Sequence, residues 1–290
     1  MAARISHIAS ISNNPTPIAT MYETLFGMEL DQTLRTPEFG EFLSDGNIKF
    51  NLRPRLAGHR VGLDHFGIEV DDVETLFSKL QRDYPAIGWA EQPPKGANGD
   101  YFCHDPAGSI FALSQGQGAE IGDRPTGRPK SLNFARWSDG DPAARYVSHY
   151  AIRTRKLDEC ARFYQEIFGF SHREPTADDP NHYLSDGRVT LVLIPWSIND
   201  YAGISVTGRG PDHIGFTVED GAKMREEIEG YHSHFSPGKA PMWLLTAVSR
   251  TTDESQIRAA MIEKTCPISQ YQFTDQDGVF VVISDKTFDQ

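Results

Sequence analysis

The chain has 290 residues, enough for about two domains of ordinary size. It carries 28 Lys and Arg against 40 Asp and Glu, a net charge of −12, which argues against binding to nucleic acid or to an anionic membrane surface. The three cysteines are far apart and form no CxxC pair, so we expect reduced thiols of a cytoplasmic protein rather than disulfides or a thiolate zinc site. We also expect neither a signal peptide nor a membrane span, because no apolar run is long enough.

Four stretches of the chain open with a histidine and continue with alternating apolar residues. They are ISHIASI with His7, LDHFGIEV with His65, VSHYAIRT with His149 and PDHIGFTV with His213. A period of two is typical of a strand with one apolar face. The sequence therefore predicts four strands that each carry a histidine near the beginning.

A helix pattern and several short strands follow these openings. The stretch PTPIATMYETLFG has apolar residues at helical spacing and stops at Gly27, and DECARFYQEIFG does the same before Gly169. The later turns SDGN, SDGR, DPAG and DQDG suit tight links between antiparallel strands. Each quarter of the chain is therefore predicted to be a βαβββ module.

The two halves of the chain match each other, which indicates a duplication. The tetrapeptide LSDG recurs at Leu43–Gly46 and Leu184–Gly187. We predict an N-terminal domain over 1–115, a linker rich in Gly, Pro, Arg and Ser over 116–145, and a C-terminal domain over 146–290. The C-terminal domain has an insertion near 236–267, which contains a predicted helix, DESQIRAAMIEK. The insertion could serve as a lid, as a subunit contact or as an embellishment without a function of its own.

Four such modules resemble the vicinal oxygen chelate superfamily, which includes glyoxalase I, bleomycin-resistance proteins and type I extradiol dioxygenases. The strand openings, the LFG and IFG helix ends and the DPAG and DQDG hairpins carry the resemblance, which covers nearly all of the chain outside the linker. It implies an α+β fold of two tandem domains, each a curved mixed sheet that forms an open cup with helices outside. The tandem form is most similar to extradiol dioxygenases, whose metal lies in one cup, usually the C-terminal one.

The same resemblance implies metal ligands. The family uses a histidine of the first strand, a histidine of the fifth and a glutamate of the eighth, and the histidines correspond to His149 and His213 in the second half. The first-half equivalents are His7 and His65. The glutamate corresponds to Val282 in the second half and to Ala112 in the first, and neither side chain can bind a metal. The expected metal is Fe(II), with Mn and Zn as alternatives, and the third ligand stays open.

Four further residues are expected to bind the substrate, whereas no catalytic acid or base can be assigned. His182 and Tyr183 lie on a strand that faces the cup in the related fold, and the family's substrate-side tyrosine corresponds to a position near Gln272, with Tyr271 beside it.

Two function classes remain open. The first is a metal-dependent, extradiol-dioxygenase-like enzyme, or a related oxidoreductase, lyase or isomerase, that acts on a small oxygenated, aromatic substrate. The second is a metal-free small-molecule-binding protein or non-metal enzyme, in which His149 and His213 are hydrogen-bonded residues inherited with the fold. The missing carboxylate favours the second class, and the paired histidines favour the first. A homo-oligomer is expected in either case, because chains of this size commonly self-associate.

Overall fold

The first half of the chain forms two βαβββ modules, as predicted. The computed structural model describes residues 3–32, 36–91, 99–116, 128, 130–196, 210–235, 242–243, 252–267 and 269–287. Helices α1 (Pro15–Phe26) and α2 (Val73–Asp83) each follow the first strand of a module. Strands β1 to β8 are Ala3–Ser12, Glu29–Leu30, Glu41–Ser44, Lys49–Pro54, Gly62–Val70, Trp89–Glu91, Tyr101–His104 and Ile110–Gln115.

The second half repeats this order with one additional helix. Helix α3 (Leu132–Trp137) and a short 3₁₀ helix (Pro142–Ala144) precede it, and α4 (Leu157–Phe168) and α5 (Gly221–Phe235) belong to its two modules. The additional helix, α6 (Asp253–Thr265), confirms the helix predicted in the insertion. Strands β9 to β16 are Tyr146–Thr154, Ser171–Arg173, His182–Ser185, Thr190–Pro195, Gly210–Thr217, Met242–Trp243, Tyr271–Thr274 and Phe280–Ser284.

Each half contributes one mixed sheet of eight strands, which confirms the predicted α+β class. The strand orders are β2-β3-β4-β1-β5-β8-β7-β6 and β10-β11-β12-β9-β13-β16-β15-β14. Pairs such as β5–β8 and β13–β16 are parallel, whereas the hairpin pairs β7–β8 and β15–β16 are antiparallel. None of the helices in the described ranges combines the length and the apolarity needed to cross a membrane.

The chain divides into two compact units that do not follow the two halves. One unit comprises Met1–Ala9, Asp64–Asp123 and His149–Asp212, and so contains the second and third modules. The other comprises Ser10–Leu63, Arg124–Ser148 and His213–Gln290, and so contains the first and fourth modules together with α3. Because a helix of one module packs near a hairpin of another, this grouping could not be read from the linear repeat.

The segment predicted as a linker is a packed element in its described part. Helix α3 packs on α1, and the left-handed residue Gly27 (φ 62°) ends α1. A Cβ atom at Gly27 would lie 2.4 Å from Cβ of Pro142 in the 3₁₀ helix, so only glycine fits both the conformation and the approach. Residues 117–127 and 129 of the predicted linker lie outside the described part of the chain.

Two buried aspartates organise the DPAG and DQDG hairpins. Oδ1 of Asp275 accepts hydrogen bonds from the backbone N–H groups of Asp277 and Val279, both at 2.9 Å. Its Oδ2 accepts a hydrogen bond from the hydroxyl of Tyr22 in α1 at 3.2 Å. In the other unit Asp105 accepts a hydrogen bond from the hydroxyl of Tyr164 in the same way, at 3.4 Å. The duplication therefore includes a hydrogen bond from a helix tyrosine to a hairpin aspartate.

We expect the Asp275→Asn substitution to flatten the pH dependence of stability. Burial raises the pKa of Asp275 to about 7, although its backbone hydrogen bonds act in the opposite direction. In the unfolded chain the pKa of this carboxyl is about 3.9. The folded wild type should therefore lose up to about 4 kcal/mol of stability as the pH rises from about 4 to about 7. Asparagine retains the acceptor for the hairpin and does not ionise. Urea unfolding of both proteins between pH 4.5 and 8 tests this, and parallel stability profiles would contradict it.

Candidate functional site

His213 is buried on β13, which pairs with strand β16 of the same sheet. Its ring centroid lies 4.9 Å from that of Phe280, its partner on the parallel strand β16. Two residues further along, Gly215 is paired with Val282. Residues that are paired across neighbouring strands present their side chains on the same face, so His213 and Val282 share one face of the sheet. Val282 is the residue at the family's glutamate position.

A thiol lies next to His213 on this face. Cys266 follows directly after α6, and its Sγ lies 4.0 Å from Nε2 of His213. The Cys266 side chain is buried in an apolar cluster with Ile262 and Val282, against which Phe280 also packs. The insertion therefore returns to the sheet and brings a sulfur donor close to the position at which the carboxylate is missing.

The donors around His213 fit one class of metal better than another. An imidazole nitrogen and a thiolate on one tetrahedral zinc ion have bonds of about 2.0 and 2.3 Å and lie roughly 3.5 Å apart. The observed separation of 4.0 Å is close to this spacing. Ferrous oxygenases ordinarily use two histidines and one carboxylate, and Val282 cannot supply the carboxylate. His213 and Cys266 therefore offer two of the donors that a zinc site uses, whereas Val282 leaves out the carboxylate of the iron site that the resemblance implies.

Tyr271 and Gln272, both predicted as substrate contacts, are neighbours on β15 and therefore point to opposite faces of the sheet. Gln272 is paired with Val282, so its side chain is on the same face as His213, and its Nε2 donates a hydrogen bond to Oγ of Ser269 at 2.5 Å. Tyr271 is on the opposite face, where the guanidinium carbon of Arg225 in α5 lies 5.4 Å from its ring centroid. Gln272 is therefore the better placed of the two for a role beside His213.

His149 is buried in the other compact unit. It is paired with Thr190 on β12, and Val192, two residues further along, is paired with Tyr183. His149 and Tyr183 therefore share a face. The Tyr183 hydroxyl donates a hydrogen bond to Oδ2 of Asp179 at 2.7 Å, and burial raises the pKa of this tyrosine well above its usual value. Tyr183 is consequently a protonated hydrogen-bonding group on the face that carries His149.

His182 is on the face opposite to Tyr183. Its Nε2 lies 3.4 Å from Oδ1 of Asp158 in α4, so the ring points to the side of the sheet that carries this helix. The sequence analysis assigned His182 and Tyr183 to one substrate site, but neighbouring residues of a strand point to opposite faces. A ligand bound on the face that carries Tyr183 would therefore lie on the other side of the sheet from the His182 ring.

The equivalent histidines of the first half lie close together. The ring centroids of His7 on β1 and His65 on β5 are 5.6 Å apart, with the rings nearly perpendicular. The His7 ring lies over Gly67, where a Cβ atom would be 1.9 Å from Cε1 of the imidazole. Glycine at this position is therefore what allows the two imidazoles to approach.

A carboxylate orients the His65 ring. Nδ1 of His65 lies 2.7 Å from Oδ2 of Asp64. In this arrangement Nδ1 carries the hydrogen and donates a hydrogen bond to the carboxylate. Nε2 then has a free electron pair, and no hydrogen-bond partner for it is found among the residues that the structure describes. An acceptor of this kind is suited to a ligand hydroxyl group or to a metal ion.

A cavity of about 470 Å³ lies next to His65. It combines the oriented imidazole with aromatic and aliphatic walls, and the Phe102 ring meets the His65 ring edge to face at 5.1 Å. Such a mixture of apolar walls and a few polar groups is typical of small-molecule sites. Its lining includes Asp64, His65, Trp89, Phe102 and Ile110.

Sequence reasoning missed two functional candidates, Cys266 and Asp64. Cys266 was interpreted as an ordinary reduced thiol, because its position beside His213 depends on how the insertion returns to the sheet. Asp64 had a signal that could have been used: it directly precedes His65, as Asp212 precedes His213. In the structure Asp212 instead forms a buried ion pair with Arg153, so the repeated Asp-His pair serves two different purposes.

The structure is similar to solved structures of extradiol dioxygenases. An extradiol ring-cleaving dioxygenase from B. fuscum matches 98% of this chain and 72% of its own, with a TM-score of 0.58 and 13% identity. Homoprotocatechuate 2,3-dioxygenase from Brevibacterium fuscum, in an anaerobic complex with 3,4-dihydroxyphenylacetate, matches 98% and 81%, with a TM-score of 0.60 and 13% identity. BphC, a halotolerant catechol dioxygenase, matches 98% and 86%, with a TM-score of 0.55 and 14% identity.

These comparisons confirm the fold that the sequence resemblance implied. No protein-family model and no curated protein matches the chain. At identities of 12–14% the likeness establishes the architecture, and the chemistry has to be argued from this chain's own residues.

Proposed function

We propose that this chain, which has the fold of the extradiol dioxygenases, is a metal-dependent enzyme that acts on a small oxygenated aromatic molecule. The observation that carries the proposal is the 4.0 Å approach of Cys266 Sγ to His213 Nε2. The ligands in this proposal are His213 and Cys266, whereas His149 stays a prediction from the sequence. When bound, the ion would act as a Lewis acid and template for two neighbouring oxygens of the substrate.

The donor set bears on the type of reaction. Zinc has no redox chemistry of its own, and a thiolate donor favours it over the Fe(II) expected from the resemblance. Among the reactions considered from the sequence, the set therefore favours an isomerase or lyase over a ring-cleaving oxygenase. Gln272 has an amide on the face that carries His213, and the proposal assigns it to hydrogen bonding with the substrate. The aromatic substrate class is supported by the fold similarity to a dioxygenase bound to 3,4-dihydroxyphenylacetate.

The proposal is tested by metal content and turnover in His213→Ala. We expect this variant to hold one equivalent of metal less than the wild type and to lose at least about 10³-fold in activity, because a Lewis acid contributes several kcal/mol to catalysis. His65→Ala, the repeat-related variant, is the control and should retain that equivalent. Vicinal diols of aromatic rings are the first substrates to screen, with oxygen uptake measured to separate ring cleavage from isomerisation. Equal metal content in wild type and His213→Ala would refute the proposal.

We infer a second candidate function, metal-free binding of a small hydroxylated aromatic molecule, from the cavity beside His65. The ring of such a ligand would contact Phe102, Trp89 and Ile110, and its hydroxyl would donate to Nε2 of His65. This corresponds to the alternative function class left open by the sequence.

Fluorescence titration with phenol or catechol tests this second function, because Trp89 lines the cavity. We expect a saturable change that is absent in Trp89→Phe and an affinity about tenfold weaker in His65→Ala, the effect of one buried hydrogen bond. A fluorescence change that rises linearly without saturation, or that is unaltered in both variants, would exclude this function.

A further inference from the structure

A half-buried histidine and a buried histidine meet at the edge of the second sheet. His172 on β10 is paired with Leu184, and His182 is two residues from Leu184 on β11, so both imidazoles are on the same face. Their ring planes are nearly parallel, with an interplanar angle of 10° and centroids 5.1 Å apart. Nε2 of His172 lies 2.9 Å from Nδ1 of His182.

A carboxylate lies on the outer side of each ring. Oε1 of Glu174 is 3.3 Å from Nδ1 of His172, and Oδ1 of Asp158 is 3.4 Å from Nε2 of His182. The imidazoles are 5% and 3% exposed, whereas the carboxylates are 77% and 89% exposed. The four groups thus form a row in the order carboxylate, imidazole, imidazole, carboxylate, with both nitrogens of each ring in contact.

The inner nitrogens of the row can offer two imidazole donor atoms to one cation. A neutral imidazole has one N–H group and one electron pair. In the tautomers whose N–H groups face Glu174 and Asp158, the electron pairs of Nε2 of His172 and Nδ1 of His182 face each other at 2.9 Å. A metal ion held by both nitrogens would select these tautomers, whereas without an ion one ring can donate its N–H group to the other.

The surroundings of the two rings suit metal ligands. A carboxylate that accepts the outer N–H of an imidazole is the usual arrangement behind a metal-binding histidine, because it selects the tautomer and orients the ring. Ligand atoms of His172, Glu174 and His182 lie within 4.8 Å of one another, a span that a single ion can bridge.

We propose that His172 and His182 form a second metal site, for a divalent late first-row transition ion, with Glu174 and Asp158 as orienting carboxylates. Two imidazoles on a tetrahedral ion at about 2.0–2.1 Å are roughly 3.3 Å apart, so the rings have to separate by only a few tenths of an ångström. Water completes the coordination, because both carboxylates are exposed. Zn²⁺, Ni²⁺ and Cu²⁺ are the ions that imidazole ligands suit best.

Co²⁺ titration of the full chain, monitored by its visible absorption, tests this site independently of the function proposed above. We expect His213→Ala to retain a binding event that His182→Gln and His172→Gln each weaken by at least about 100-fold, since loss of an orienting partner alone costs about 10–100-fold. Glu174→Gln should lie within that smaller range. His59→Ala removes an exposed imidazole and is the control for adventitious binding.

Circular dichroism of each variant shows whether the glutamine substitutions fold. Should either fail to fold, the Glu174→Gln and Asp158→Asn variants still test the site, because both carboxylates are exposed and far less important for packing. Co²⁺ affinities that are equal in the wild type and in all folded site variants would overturn the proposal. So would a wild-type protein that binds no Co²⁺ at this position and shows a strongly deshielded proton shared by the two imidazoles.

Discussion

Cys266→Ala is expected to weaken zinc binding at the His213 site by more than about 100-fold. The Cys266 thiol is buried and lies 4.0 Å from Nε2 of His213, so a zinc ion held there would have a sulfur ligand shielded from water. Loss of an outer-sphere partner already costs about 10–100-fold in metal affinity, and loss of a ligand should cost more. Competition with a chromophoric zinc chelator measures the change.

Two variants separate ligation from packing. Val282→Ala removes apolar contact from the same cluster and should lower stability by about 1–3 kcal/mol while leaving zinc affinity nearly unchanged. Cys266→Asp replaces the thiol with a carboxylate, and we expect preference to shift from Zn²⁺ towards Fe²⁺ and Mn²⁺. If Cys266→Ala and Val282→Ala alter zinc affinity equally, Cys266 contributes only packing.

Arg145→Met is expected to lower the free energy of unfolding by about 3–5 kcal/mol. Arg145 is 1% exposed, donates hydrogen bonds to Glu219 and Glu227 at 2.7 Å each, and donates to the backbone carbonyl of Leu25 at 2.6 Å. Its guanidinium carbon also lies 5.1 Å from the Phe134 ring centroid. Methionine fills part of the volume but leaves the Glu219 and Glu227 carboxylates, 28% and 11% exposed, without their partner. Removal of one side of a buried ion pair costs about 3–5 kcal/mol, and because water reaches these carboxylates we expect the lower end of this range.

The matched control is Arg82→Met, which also removes an arginine from an ion pair. Arg82 is 70% exposed and lies 2.7 Å from Asp83, and an ion pair that is exposed to solvent adds little to stability. Guanidinium unfolding of both variants should therefore give clearly different losses. Similar small losses would mean that the segment before β9 is not held to its unit by Arg145.

The modules were predictable from the sequence because their signals are local. Strand alternation, helical spacing that ends at Gly27 and Gly169, and Asp-Gly turns each depend on fewer than about fifteen neighbouring residues. The compact units were not predictable, since they join the second module to the third and the first to the fourth. Contacts such as Tyr22 to Asp275 connect residues 253 positions apart, and no local pattern encodes them.

The site was predictable only in part for the same reason. The duplication and the resemblance led to His149 and His213, and both are buried on the expected strands. The expected substrate contacts are two pairs of neighbours, His182 with Tyr183 and Tyr271 with Gln272, and a period of two places the members of each pair on opposite faces. Cys266 was not predictable, because its place depends on the path of the insertion.

Zinc K-edge X-ray absorption of the His182→Gln protein, loaded with one equivalent of zinc, tests the central claim most directly. The substitution removes the second proposed site, so the signal comes from the ion at His213. We expect one sulfur neighbour at about 2.3 Å together with nitrogen neighbours at about 2.0–2.1 Å, and loss of the sulfur shell in the double variant with Cys266→Ala. A spectrum that contains only nitrogen and oxygen neighbours would contradict a metal site built on His213 and Cys266.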